Sequence, residues 1–314
     1  MKQRVIMHKL KVLLTGANGM VGKNIIENRP EHVNLLSPSS TELNLLDFDA
    51  VDSYIESAKP DLIIHAAGIV GGIQANINHP IKFLRENTLI AHNIVWASYQ
   101  NNVQHFINLG SSCMYPKNAS NPLKEEMILS GALEPTNEGY ALAKIFALRL
   151  CQAINKENNL NNYKTYIPCN LYGKYDKFHA EWGHMIPSVI MKIFYAHTHN
   201  EREVSIWGDG TARREFMFAT DLADFIWFSI NNINNVPEII NVGLGFDFSI
   251  NEYYNTISNI IGYDGKFAHD LSKPTGMMQK LVDISNQEKL GWQPKTSLEQ
   301  GIEITYKFYT ENII

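Results

Sequence analysis

The strongest constraint on the fold lies near the N-terminus. A short apolar run, Lys11 to Leu14, ends at Thr15 and gives way to Gly16-Ala17-Asn18-Gly19-Met20-Val21-Gly22. Gly16 permits a tight turn after a strand, Gly19 lets backbone approach a pyrophosphate, and Gly22 lets the next helix pack close to a sheet. A helix that opens there offers free N–H groups and the positive end of its dipole to a phosphate. The spacing is GxxGxxG, and three glycines alone also fit an ordinary strand–helix turn. Their placement after an N-terminal strand and before an amphipathic segment predicts an α/β protein of Rossmann type. The expected architecture is a doubly wound parallel sheet with a smaller α/β substrate-binding lobe.

Later segments supply more of such a sheet. Val33 to Leu36 reads as the second strand, and its end commonly selects the cofactor through an acid on the ribose. Here Ser37-Pro38-Ser39-Ser40-Thr41 follows, with no acid before Glu42. That tolerates a 2′-phosphate, although no arginine stands there to grip one. Asp47 fits an adenine contact or the cap of a helix starting near Asp49. The run from Asp61 to His65 reads as a buried strand ending in Ala66-Ala67-Gly68, small residues that leave room for a ligand. His65 reads as a packed histidine. A long helix is predicted over 81–100, and within it Asn87 fits a residue that orders water or backbone near the tyrosine, or, as the better reading, an exposed or capping residue.

The next strand, His105 to Leu109, leads into the stretch with the most chemistry. Ser111 and Cys113 lie just past its end, and Tyr140 is followed by Lys144 one helical turn on. A lysine near a tyrosine hydroxyl favours the phenolate. Such a tyrosine exchanges a proton with a substrate oxygen that a serine can also hold. This is carbonyl/alcohol chemistry and it calls for a hydride carrier.

Past the strand predicted over 164–170, the composition becomes polar and aromatic. A dinucleotide-binding domain is expected over 1–173 plus about 215–242, and a substrate lobe over 174–214 and 243–314. His184 opens a predicted helix, so it sits near a dipole's positive end. Arg213 and Arg214 follow Trp207, a set that suits a nucleotide diphosphate and its base. Lys273, Pro274 and Lys280 lie in a segment expected to cover the substrate.

Composition bounds the alternatives. The 314 residues carry a net charge of -5, which argues against nucleic acid or an acidic membrane surface as partner. No apolar run approaches the roughly 20 residues of a membrane span, and no signal-peptide pattern precedes the glycine turn. The three cysteines, Cys113, Cys151 and Cys169, lack a framework spacing, so reduced thiols in the cytoplasm are expected. There is no CxxC or HExxH, and no metal is expected.

Strand–GxxGxxG–helix, Ser111 and Tyr140-x-x-x-Lys144, in this order, resemble the extended short-chain dehydrogenase/reductase family. LGSSCMYPK, LEPTNEGYALAK, CNLYGKYDKF, HMIP, WGDGTARREF and KLVD are similar to a branch of that family acting on GDP-4-keto-6-deoxy sugars. The likeness covers nearly the whole chain after Lys11. It implies NADP(H) as cofactor, a GDP-sugar as substrate, and 3,5-epimerisation followed by 4-reduction. The substrate most in keeping with it is GDP-4-keto-6-deoxy-D-mannose, giving GDP-L-fucose; colitose or 6-deoxy-heptose analogues would use the same groups. A pure 4-reductase and a non-catalytic NAD(P)-binding scaffold are the competing readings. The resemblance also implies a homodimer through the helices of Ile81 and Tyr140.

The same likeness assigns roles. Ser111, Tyr140 and Lys144 would form the reductive triad, with Cys113 as base and His184 as acid of the epimerisations. The cofactor would meet Gly16, Asn18, Gly19, Met20, Val21, Gly22, Ser40, Asn44, Asp47, Ala66 and Ala67. It would also meet Leu109, Gly110, Ser111, Tyr140, Lys144, Pro168, Asn170, Leu171 and His184. The sugar nucleotide would meet Ser112, Cys113, Asn170, Lys192, Trp207, Arg214 and Lys280. Cys113 must act as a thiolate, which Lys144 and the bound cofactor would stabilise. The chain departs from the branch at Asn18 and Lys192, where arginines are usual, and at Gly139, where proline is usual. The Ser39-Ser40 region also lacks an arginine found there in the branch.

Overall fold

The structure, a computed structural model, describes residues 9–179, 182–273 and 277–314. Pro274 therefore lies outside the described residues. The first half alternates strands and helices: β1 (Leu10–Thr15), α1 (Met20–Glu27), β2 (Val33–Leu36), α2 (Phe48–Ala58), β3 (Leu62–His65), α3 (Ile73–Asn78), α4 (Pro80–Gln100), β4 (His105–Leu109), α5 (Glu138–Asn158) and β5 (Tyr163–Pro168). Then come β6 (Asn170–Tyr172), α6 (Met185–Thr198), β7 (Glu203–Trp207), β8 (Arg213–Arg214), β9 (Phe216–Phe218), α7 (Ala219–Ile230) and β10 (Ile239–Val242). The chain closes with β11 (Phe248–Ser249), α8 (Ile250–Ile261), β12 (Lys266–Asp270), β13 (Gln279–Lys280), α9 (Ser285–Lys289) and α10 (Leu298–Asn312).

The main sheet has six strands in the order β2-β1-β3-β4-β5-β10, and every pair is parallel. This is the Rossmann-type doubly wound arrangement. Both faces are covered, so its strands read as continuous apolar runs. Val12, Leu14, Ile64 and Ile107 pack on one side, and Leu13, Ile63 and Phe106 on the other. Each such fully buried Val, Leu or Ile contributes about 1.5–3 kcal/mol relative to exposure. Strand order reverses between β1 and β3, and the crevice at that switch point is where ligands bind in such sheets.

One predicted strand is divided. The run over 164–170 ends its pairing in the main sheet at Pro168, opposite Val242, and β6 pairs instead with β9. Pro168 has no N–H to continue the ladder. Cys169 N–H donates to Val242 O at 2.9 Å, and Asn170 Nδ2 donates to Glu215 O at 2.8 Å. The chain thus passes from the sheet to a second apolar cluster containing Tyr172, Ile186, Ile190, Val204, Tyr253 and Ile302. Around this cluster β7 pairs with β12, and β8 lies between β11 and β13.

Candidate active site

The glycine turn is built as the spacing requires. Gly16 has φ +78°, and a Cβ there would lie 2.6 Å from Ala67 N. A Cβ on Gly22 would lie 2.1 Å from Gly16 O, so α1 is seated against the turn. Gly19 caps α1 without a side-chain hydrogen bond, and no acid occupies the first turn. That end is a preformed anion site. Asn18 is exposed, while Met20 and Val21 are half-buried. The remaining cofactor candidates lie at the carboxyl ends of neighbouring strands: Ala66 and Ala67 after β3, Leu109 to Ser111 at β4, and Pro168 to Leu171 at β5.

The edge after β2 is set by local turns. Asp47 Oδ1 accepts Ala50 N–H at 3.1 Å, so Asp47 caps α2. Asn44 Oδ1 accepts Leu46 N–H at 3.1 Å. Glu42 Oε2 accepts Ser39 N–H at 2.7 Å, so its carboxylate folds back into its own turn, next to exposed Ser40. Hydrogen bonds from Ser39 hold the Glu42 carboxyl below the usual glutamate range.

Past β4 the backbone enters a short 3-10 turn, Ser112–Met114, which Ser111 caps by accepting Cys113 N–H at 3.3 Å. The turn places Cys113 beside Ser111, and Ser112 is buried below them. Helix α5 brings the other groups. Lys144 Nζ donates to Leu109 O at 2.8 Å and lies 5.8 Å from the centre of the Tyr140 ring. The Tyr140 ring meets Phe83 edge-on, at 6.3 Å between centres. The helix starts close against α4, since a Cβ on Gly139 would lie 3.2 Å from both Leu84 Cβ and Pro80 O.

The electrostatics differ from the sequence expectation for tyrosine. Desolvation pushes the Tyr140 phenol above its ordinary value, the charge on Cys113 adds to the rise, and a hydrogen bond from Ser111 opposes it. Burial outweighs the Ser111 bond, so in this state the phenol keeps its proton. Burial also lowers Lys144 to about 8, against a partial recovery from Cys113. His65 is buried behind the site, bonded to Thr15 Oγ1 at 2.8 Å. Desolvation, assisted by Lys144, lowers it to about 3, so it stays neutral.

Three further polar residues lie against these groups. Asn87, expected to be exposed or capping, is buried and clasps Ile69. Its Oδ1 accepts Ile69 N–H at 2.7 Å and its Nδ2 donates to Ile69 O at 3.1 Å. A Cβ on Gly68 would lie 3.2 Å from Asn87 Oδ1 and 3.8 Å from Lys144 Nζ, which puts this clasp beside the lysine. Asp176 is the second. Its buried carboxylate lies 3.5 Å from His184 Nδ1, and among the described residues neither Asp176 Oδ2 nor His184 Nδ1 has a hydrogen-bond partner. A carboxylate facing one ring nitrogen leaves the other nitrogen for chemistry. The third is Asn137, whose Nδ2 donates to Cys113 Sγ at 3.2 Å.

The expected sugar-nucleotide residues are distributed unevenly. Lys280 lies on β13 in register with Arg214 of β8, and its Nζ is 3.7 Å from Cys113 Sγ. Arg213 is held by Asp247, with Nε to Oδ1 at 2.6 Å, and Arg214 donates from Nη1 to Arg213 O at 2.7 Å. Burial lowers the Arg214 guanidinium, partly offset by Asp247 and Glu134. Lys192 donates to Ser205 O at 2.9 Å and to the Tyr254 hydroxyl at 3.3 Å. Trp207 is half exposed at the end of β7, with Lys273 Nζ 5.8 Å from its ring centre. Near β13 a cavity of about 530 Å³ opens, lined by Lys117, Asn121, Glu134 and Gln279 among others.

A parallel sheet with a glycine turn at its switch point, and a Ser–Tyr–Lys cluster at the neighbouring strand end, define a dinucleotide-fold α/β protein. The chain belongs to the NAD dependent epimerase/dehydratase family, which it matches over residues 12–243. This agrees with the extended short-chain dehydrogenase/reductase resemblance. It is 54% identical over 301 residues to a GDP-L-colitose synthase of Yersinia pseudotuberculosis, covering 96% of this chain and 98% of that one. It is 48% identical over 300 residues to a GDP-L-fucose synthase of Azorhizobium caulinodans, covering 95% and 96%. Among solved structures it resembles a GDP-mannoheptose C4 reductase from Campylobacter jejuni with NADP bound, at TM-score 0.86 and 32% identity, covering 96% and 98%.

Proposed function

We propose that this chain is an NADP(H)-dependent epimerase/reductase acting on a GDP-4-keto-6-deoxy sugar. The observation that carries this reading is Cys113 on the same 3-10 turn as Ser111, in electrostatic contact with Tyr140 and Lys144. A reductase alone has no use for a thiol at that point.

The proposed chemistry follows from the groups. A 4-keto sugar has acidic protons on the carbons flanking its carbonyl. Cys113 takes one of them, and the electron pair moves to the carbonyl oxygen. Ser111 and Tyr140 donate hydrogen bonds to that oxygen, the role of an oxyanion hole. His184, beside Asp176, returns a proton to the opposite face and so inverts the centre. Bound NADPH supplies the hydride for the final reduction. Tyr140 gives the oxygen its proton, and the protonated phenol is the state this requires.

The uncapped α1 terminus and the close Gly16–Ala67 approach support a dinucleotide diphosphate at the switch point. The folded-back Glu42 supports tolerance of a 2′-phosphate. We assign residues 1–173 with about 215–242 to cofactor binding, and 174–214 with 243–314 to the sugar nucleotide. Crystallography with NADP and GDP tests that division.

GDP-4-keto-6-deoxy-D-mannose is the proposed substrate and GDP-L-fucose the product. The 54% identity to a colitose synthase favours a second reading, in which the sugar is already deoxygenated at carbon 3 and only carbon 5 inverts. Assaying NADPH oxidation with both GDP-4-keto sugars separates the two. The expected result is turnover of at least one; oxidation with neither would refute the proposed reaction.

A homodimer through α4 and α5 is part of the proposal. Ile81 is 78% exposed, and Leu84 and Leu142 are about two-fifths exposed on the same pair of helices, which supports an apolar partner there. Sedimentation at twice the 35.6 kDa chain mass is expected, and a monomer would contradict it. Free thiols support a cytoplasmic setting, which cell fractionation tests.

A further inference from the structure

We propose that Lys280 is the cation that holds Cys113 as a thiolate, so that the epimerising base is completed by β13 and not by the dinucleotide-binding sheet. The inference rests on the proposed reaction for its purpose but not for its evidence. Cys113 Sγ receives two donors, Asn137 Nδ2 at 3.2 Å and Lys280 Nζ at 3.7 Å. An ammonium beside a thiol favours its ionised form. Lys144, the other lysine that interacts with Cys113, has its ammonium anchored on Leu109 O at 2.8 Å and donates no hydrogen bond to the sulfur.

The position of Lys280 is fixed by its backbone neighbours. Leu281 N–H donates to Asn121 Oδ1 at 2.8 Å, and Leu123 N–H donates to Leu281 O at 2.8 Å. Val282 N–H donates to Glu215 Oε2 at 2.9 Å. Glu215 is fully buried, and its other oxygen accepts Leu244 N–H at 2.6 Å and Gly245 N–H at 3.1 Å. On the other side Gln279 Nε2 donates to Asp247 Oδ2 at 2.7 Å, the same carboxylate that holds Arg213. A long lysine side chain thus starts from an immobilised strand and ends on the sulfur.

The groups that face Cys113 are Ser111 from its own turn, Asn137, Tyr140 and Lys144 from α5 and the turn before it, and Lys280 from β13. In the proton transfer the sugar C–H bond breaks and an S–H bond forms. The electron pair passes to the carbonyl oxygen, while Lys280 keeps its proton throughout. A docked β13 therefore arms the base, and the substrate-side segment and the catalytic turn become one unit.

The test is alkylation of the full chain by iodoacetamide, read by mass at Cys113; Cys151 and Cys169 are buried and serve as internal controls. Lys280→Met is expected to slow Cys113 alkylation roughly tenfold at neutral pH, with the deficit narrowing as pH rises. Lys280→Arg keeps a cation in place and is expected to retain most of the rate, which guards against a folding artefact. Equal alkylation of the wild type and Lys280→Met at every pH would overturn the inference. Should the wild type fail to exchange sugar protons while the Met variant still alkylates slowly, the Lys280–Cys113 pairing stands and the sugar reaction falls.

Discussion

Cys113→Ser is expected to lower deuterium incorporation from heavy water into the sugar by roughly a hundred- to ten-thousandfold, the usual worth of a positioned general base. The change is close to isosteric, and Cys113 is half-buried on a turn whose cap is Ser111, so the fold is expected to survive. Asn137 and Lys280 would still have an oxygen to donate to. What is lost is basicity, because a serine hydroxyl is far less acidic than a thiol and does not ionise at neutral pH. Reduction of a substrate already of the final configuration is expected to persist, since Ser111, Tyr140 and Lys144 are untouched. Full retention of exchange would remove Cys113 from the mechanism.

Tyr140→Phe is expected to reduce 4-keto reduction by a similar roughly hundred- to ten-thousandfold, with NADPH affinity changed little. Two functions go with the hydroxyl: the proton for the carbonyl oxygen and one of the two hydrogen bonds that hold it. Exchange is expected to fall as well, because the enolate would rest on Ser111 alone. The ring packs against Phe83, and phenylalanine keeps that contact. Burial holds the phenol protonated in the cofactor-free protein, so the acid is already loaded when substrate arrives. Stopped-flow reduction with a fluorescence titration of NADPH checks both halves. Unchanged reduction would show that the oxygen takes its proton from elsewhere.

The elements and much of the site follow from local sequence. The glycine spacing specified the α1 turn, apolar runs specified the strands, and the Tyr140–Lys144 spacing specified one helix face. What escaped sequence reading is set by long-range placement. Cys113 and Lys280 are 167 positions apart, and no periodicity links them. The resemblance places Lys280 toward the sugar nucleotide, and nothing local in its segment points to the sulfur of the catalytic turn. Asn87 read better as a surface residue than as one ordering backbone near the tyrosine, and its clasp on Ile69 sides with the latter. Asp176 lies in a stretch legible only as polar and turn-like, and its burial has no signal in that local pattern. The break at Pro168 had a local signal, the missing N–H, but its purpose is visible only once β9 is beside β6.

The central claim is that one pocket both exchanges protons and reduces. The most direct test is to incubate the wild-type chain, NADPH and a GDP-4-keto-6-deoxy sugar in heavy water and analyse the product by NMR. The expected result is NADPH oxidation together with deuterium on a ring carbon flanking the former carbonyl and inversion at that carbon. NADPH oxidation with no deuterium at either flanking carbon would contradict the account and leave a simple 4-reductase.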